Sequence, residues 1–191
     1  MKAFKYAITL VSATVLSSFM AASAMADEVP PAVAALIPAI KKWGEDPALV
    51  AAVKEQNAKA MTLEQIQKRD KEWMAATGMD DQMKAMMKNA AAEKLNKLEA
   101  TQPYFFESIL MDNQGANVAM TNKTSDYWQG DEPKFTNAFK AGAGGVDVSK
   151  SKFDDSAKAY LIQVSVPVME GGKAIGAVCV GLNLDELDKV K

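Results

Sequence analysis

The chain has 191 residues, a formal net charge of −2, no histidine and one cysteine. The lack of histidine excludes Ser-His-Asp and Cys-His catalysis, imidazole metal sites and a histidine pH switch, and the lone Cys179 excludes an internal disulfide. A slightly acidic balance without clustered cations gives no footing for nucleic acid or for an anionic lipid surface.

Residues 1–26 read as an export signal. Lys2 and Lys5 form the positive end, Tyr6 to Met20 is uncharged and mostly apolar, and Ala24-Met25-Ala26 fits small-x-small cleavage. The apolar run is short of the roughly 20 residues that a spanning helix needs. The expectation is a periplasmic domain over 27–191 that is not inserted in a membrane.

That domain divides into a helical part, 31–100, and a sheet part, 104–191. Val33, Leu36, Ile37 and Ile40 recur at helical spacing. Asp46-Pro47 restarts a helix, with Asp as cap and Pro in the first helical position. Thr62 and Gln65 have capping-box spacing; either a new helix starts there or one long helix runs on. A further helix is expected from Asp81 to Glu99, with Met83, Met86, Met87, Ala90, Leu95 and Leu98 on its apolar face. Those methionines sit at core spacing, so packing is preferred over copper ligation. Asn57 and Asp70 lie within apolar stripes and are read as fasteners of helix to neighbouring backbone or to each other.

After Gln102-Pro103 the period becomes alternating. Strands are expected at Phe106–Met111, Ala116–Thr121, Ala159–Val168 and Ala174–Leu182, with an edge strand or turn at Phe153–Ser156. Asp112-Asn113-Gln114-Gly115 and Gly171-Gly172 are hairpin turns. Pro133–Phe139 is a short helix, and Leu184–Val190 closes the chain. Helices followed by antiparallel strands predict an α+β domain: a central antiparallel sheet, helices on one face, and the 122–158 segment roofing the other.

That roof holds the densest candidate site, Asp126-Tyr127-Trp128-Gln129-Gly130-Asp131-Glu132. Tyr127 and Trp128 are expected to pack on a ligand, since neighbours in extended chain point to opposite sides. Asp126 and Asp131 suit either a ligand amine or a helix cap, whereas Glu132, next to Pro133, suits capping. In strand 159–168, Tyr160, Ile162, Val164, Val166 and Val168 form a core face; Leu161, Gln163, Ser165 and Pro167 form the other, which offers Gln163 and Ser165 to a polar cavity. Cys179 is read as a small buried hydrophobe. EF-hand spacing, phosphate loops and dinucleotide fingerprints are missing from the sequence, so no metal, cofactor or catalytic residue is assigned.

Four segments together resemble the single-Cache, PAS-like (PDC) sensor domains. They are DPALVAAVKEQN with TLEQIQKRDKEW, the hairpin MDNQGANVAM, the loop TSDYWQGDEPKF, and VSVPVMEGGKAIGAVCVGLNLDEL. The resemblance implies a small-molecule pocket on the sheet face away from the helices, and an acid at Asp154 or Asp155 for a ligand amine. The expectation that follows is a small organic ligand, an amine or amino acid, held by Asp126, Asp131 and Asp154, read by Gln163 and Ser165, and packed on by Tyr127 and Trp128. With a leader in place of flanking membrane helices, the expectation is a free-standing binding protein that signals through a membrane histidine kinase, chemoreceptor or transporter, with a homodimer open to its striped helices. The rivals are a ligand-free interaction protein and a hydrolase using Asp126 and Asp131.

Overall fold

A computed structural model describes residues 29–155 and 157–190; the expected export signal lies outside them. The helical half is a succession of short helices: α1 (Pro31–Lys41), α2 (Pro47–Ala58), α3 (Leu63–Ala75), α4 (Asp81–Met86) and α5 (Ala90–Glu99). Side chains set the boundaries. Asp46 accepts from Ala48 N at 3.0 Å to open α2, and Thr62 with Gln65 forms a reciprocal capping box that opens α3. The expected single helix over 81–99 is two. Asn89 interrupts it, accepting from Ala92 N at 2.8 Å and donating to Val118 O at 2.9 Å, so a cap and a tie to the sheet outweigh helix continuity.

The sheet contains β1 (Phe105–Met111), β2 (Asn117–Met120), β3 (Asp147–Val148), β4 (Lys152–Asp154), β5 (Ala159–Glu170) and β6 (Lys173–Asn183). All pairings are antiparallel, in the order β2-β1-β6-β5-β3, with β4 also on β5. Asp147–Val148 was not expected from the sequence; two residues are too few for alternation to register.

Alternation in the three central strands creates two unlike faces. Leu110, Ile162, Val164, Val166, Val168, Val178, Val180 and Leu182 pack with Val33, Ile40, Leu49, Val53 and Leu95 of the helices. Tyr160 departs from the expected stripe. It is 52% exposed and meets Phe153 edge-on, because it stands at the strand's outer end beyond the helical layer.

On the opposite face the register builds three rows across β1, β6 and β5: Glu107–Gly181–Gln163, Ile109–Cys179–Ser165 and Met111–Ala177–Pro167. Helix α6 (Pro133–Phe139) lays Phe135, Ala138 and Phe139 on Ile109, Met111, Ala177 and Cys179. The second and third rows are thereby covered; the first is not.

A second, smaller core lies at the β2 margin. Ile66 and Trp73 of α3 pack there with Met83, Met86, Ala116, Met120 and Tyr127. The methionines are core, as their spacing implied. Asn57 and Asp70 serve as fasteners: Asn57 donates to Ile175 O at 2.8 Å and accepts from Asn113 N at 3.0 Å.

In the β1–β2 turn, buried Asp112 accepts from Gln114 N at 2.8 Å and Ala116 N at 2.9 Å. Burial pushes its carboxyl above the ordinary aspartate value, although those amides pull the other way. The folded protein therefore holds this proton more tightly than the unfolded chain does. The associated stability is complete below the unfolded value of 3.8 and is lost as pH rises through the folded one. Asp112→Asn retains the oxygen acceptor without the charge. Its stability relative to wild type should therefore grow from about pH 4 upward, measured by urea unfolding across that range; a shrinking difference would contradict the sign.

Candidate functional site

The uncovered first row is the floor of a cavity. Glu107 and Gln163 flank Gly181, whose missing side chain lets Glu107 lie across the strand: a Cβ there would come within 2.6 Å of Glu107 Cγ. Gln163 Nε2 donates to Glu107 Oε1 at 3.2 Å, and Gln163 is fixed from its own backbone by Ser149, whose hydroxyl accepts from Gln163 N at 2.9 Å.

Two lobes open from this floor. One, of about 490 Å³, is lined by Phe106, Ile109, Asp126, Gln129 and Lys134, among others; the second, of about 540 Å³, by Ser149, Lys152, Phe153, Asp155 and Leu161, among others. Both share Glu107, Ser125, Asp154 and Gln163. These volumes suit a small organic molecule. The apolar contribution comes from Phe106 and Ile109 in one lobe and from Phe153 and Leu161 in the other.

The walls have separate supports. The loop after β2 adds to the sheet margin, with Ala116 bridging Trp128, Asn117 N donating to Tyr127 O at 3.0 Å and Gln129 N to Gly115 O at 2.8 Å. That addition brings Asp126 and Gln129 to the cavity. Gln129 Nε2 donates to Asp126 Oδ1 at 2.6 Å, while its own Oε1 is buried with no donor in reach. Asp154 ends β4 and accepts from Ala157 N at 2.8 Å.

Charge at the site is mixed. Glu107, Asp126 and Asp154 face it from three different elements. Of the two lysines in the first lobe, Lys134 Nζ lies 3.2 Å from Glu132, and Lys123 Nζ lies 6.0 Å from the centre of the Trp73 ring. Burial lowers the Lys134 ammonium's pKa, but Cys179, Glu132 and Asp126 outweigh it and the net shift is upward, so Lys134 stays charged. Glu132 occupies the cap position of α6 without a side-chain capping bond; its carboxylate is taken up by Lys134 instead.

Of the residues expected at the site, Asp126, Asp154 and Gln163 line the cavity, and four do not. Tyr127 is wholly buried, its ring 5.7 Å from that of Trp73. Burial, then the charge of Asp112, pushes its hydroxyl up to about 12. Trp128 is half-buried and donates to Gln114 O at 2.8 Å. The physical reason is that the loop is drawn onto the sheet margin by a single bridge, Ala116 to Trp128, so Tyr127 turns into the smaller core while Trp128 anchors to the turn. Asp131 is exposed away from the cavity and does not share a cleft with Asp126. Ser165 is fully buried in the row that α6 covers, opposite Cys179. Cys179 is 1% exposed and burial pushes its thiol up to about 11.

Glu107, Gln129 and Lys134 were missed. The available signal was an acid in FFESILM at alternating spacing with Ile109 and Met111, hence on a buried sheet face. Among the described residues, no group of three or more His, Cys, Asp or Glu is placed to hold a metal ion.

No family model matches the chain, and no curated protein does. Solved structures offer distant likenesses. The sensor domain of the Vibrio cholerae histidine kinase DctB is 15% identical with a TM-score of 0.44, over 83% of this chain and 50% of that one. The ligand-binding domain of the Pseudomonas aeruginosa amino acid chemoreceptor PctC, in complex with GABA, is 13% identical with a TM-score of 0.42, over 82% and 60%. That of the Campylobacter jejuni chemoreceptor Tlp3, in complex with 4-methylisoleucine, is 12% identical with a TM-score of 0.39, over 84% and 64%. This chain thus spans half to just under two thirds of those chains.

Proposed function

We propose that this domain binds a small organic ammonium compound, an amine or amino acid, on the open row of its sheet. In this reading it is an extracytoplasmic sensor that hands occupancy on to a membrane kinase, chemoreceptor or transporter. The observation that carries the proposal is the shared waist of the cavity. Glu107 and Asp154 stand there with Gln163 between two lobes, and Asp126 faces the first lobe with the donor-less Gln129 Oε1 beside it. Carboxylates brought from separate elements to one cavity offer an ammonium group several acceptors at once, and charge-assisted hydrogen bonds make such contacts strong and directional. Phe106, Phe153 and Leu161 supply apolar surface for a short hydrocarbon body. Lys134 offers a positive end that would suit the carboxylate of an amino acid. Among the described residues no helix is long and apolar enough to cross a membrane.

The test is a thermal-shift and calorimetric panel of primary amines, α-amino acids and ω-amino acids, with nitrogen-free carboxylic acids as controls. An ammonium compound at 100 times its Kd should stabilise the domain by about 2.7 kcal/mol. Glu107→Gln should weaken that binding by about ten- to a hundredfold, the range for a hydrogen bond to a charged group. Binding confined to the nitrogen-free acids, or a uniformly silent panel, would overturn the reading.

A further inference from the structure

Helix α3 is joined to the cavity wall by polar bonds that general packing does not require. Asp70 Oδ1 accepts from two successive backbone amides, Tyr127 N at 2.8 Å and Trp128 N at 3.0 Å. One helical turn further on, Trp73 Nε1 donates to Thr124 O at 2.9 Å. The three bonds thus span 124–128, and the wall residues Thr124, Asp126 and Gln129 lie within or directly beside that stretch. The same wall is braced from the sheet by Asn117, whose Nδ2 donates to Thr124 Oγ1 at 2.9 Å and to Asp126 O at 3.2 Å. The wall is therefore clamped between a strand and a helix more than fifty positions away in sequence.

From this geometry we infer that α3 is a clasp for the cavity: Asp70 and Trp73 are positioning residues that hold Asp126 and Gln129 in place from behind. Neither touches the cavity itself. The clasp has directionality, because α3 packs through Ile66 and Trp73 into the smaller core at the sheet margin, apart from the main helical layer. A shift of the wall on occupancy would accordingly be felt at α3 before it reached the layer around α1 and α2. By reciprocity, if occupancy stabilises α3 against the wall, loosening α3 weakens binding at the cavity. This last step rests on the ligand-binding reading given above; the clasp itself does not.

The experiment separates the two. Amide hydrogen exchange is followed on the ligand-free domain for wild type, Asp70→Ala, Asp70→Asn and Trp73→Phe. Asp70→Ala should speed exchange across 122–129 by about tenfold or more, while amides of β5 and β6 keep their protection. Asp70→Asn should restore most of that protection, because an amide oxygen can still accept both bonds. Trp73→Phe removes the N–H together with part of a fully buried ring, so exchange should quicken near Thr124 and Tm should fall, by less than in Trp73→Ala. Unchanged 122–129 exchange in Asp70→Ala, no rescue by Asp70→Asn, or an equal loss of protection in β5 and β6 would overturn the clasp. The same four proteins are then titrated with n-butylamine and L-alanine, and Asp70→Ala should bind about tenfold more weakly than wild type and Asp70→Asn close to it. Altered exchange with equal affinity in wild type and Asp70→Ala would overturn the positioning role. Altered exchange in a wild type that binds neither probe, nor any member of the wider amine panel, would leave the clasp standing and sink the ligand reading.

Discussion

Trp73→Ala is expected to lower the free energy of unfolding by about 3–5 kcal/mol, the range for truncating a buried aromatic residue. Trp73 is 0% exposed. Its ring meets Tyr127 at 5.7 Å and carries the Arg69 guanidinium 5.3 Å from its centre, while its N–H holds Thr124 O. Truncation empties the smaller core and leaves that carbonyl without its donor. Domains are stable by only about 5–15 kcal/mol, so the variant should approach the margin. Chemical denaturation measures it; a loss below about 1 kcal/mol would mean that the smaller core contributes far less than its burial implies.

Gly115→Ala should cost about 3 kcal/mol, combining a left-handed backbone with overpacking. Gly115 has φ +85°, and a Cβ there would lie 2.5 Å from Gly130 Cα and 2.6 Å from Gly130 N. Both neighbours are backbone, so relief requires the segment 127–129 to move off the sheet margin, which would carry Asp126 and Gln129 with it. Gly78→Ala is the control, since a Cβ at Gly78 meets nothing within 4 Å; it should stay within about 0.5 kcal/mol of wild type. Equal midpoints for the two variants would show that the close approach at Gly130 is relieved elsewhere.

Much of the fold could be read from local chemistry. The α6 boundaries, the caps at Asp46 and Thr62, the Gly-Gly hairpin and the long strands each rest on a short-range signal such as a proline at the first helical position or strict alternation. What escaped reading depended on partners distant in sequence. Asn89 looked like a polar residue inside a helix, and only its tie to Val118 O shows why the helix breaks there. Tyr127 and Trp128 looked like a ligand pair because nothing local announces that their stretch of chain is drawn onto the sheet margin with Asp70 behind it. Glu107 was passed over because a single acid in a strand gains meaning only when Gly181 and Gln163 are found in its row.

The sheet's margins are partly occupied by its own short segments. Residues 127–129 pair with 115–117, at the start of the β2 side of the hairpin. On the far side, β3 and β4 occupy β5 from Ala159 to Ser165, after which Pro167 has no N–H to offer. Only pieces of two and three residues remain as terminal strands there, too short to template a neighbour. Among the described residues the margins therefore offer only short lengths of ladder, which favours recognition through side chains, where point substitution can tune it without altering the β-layer.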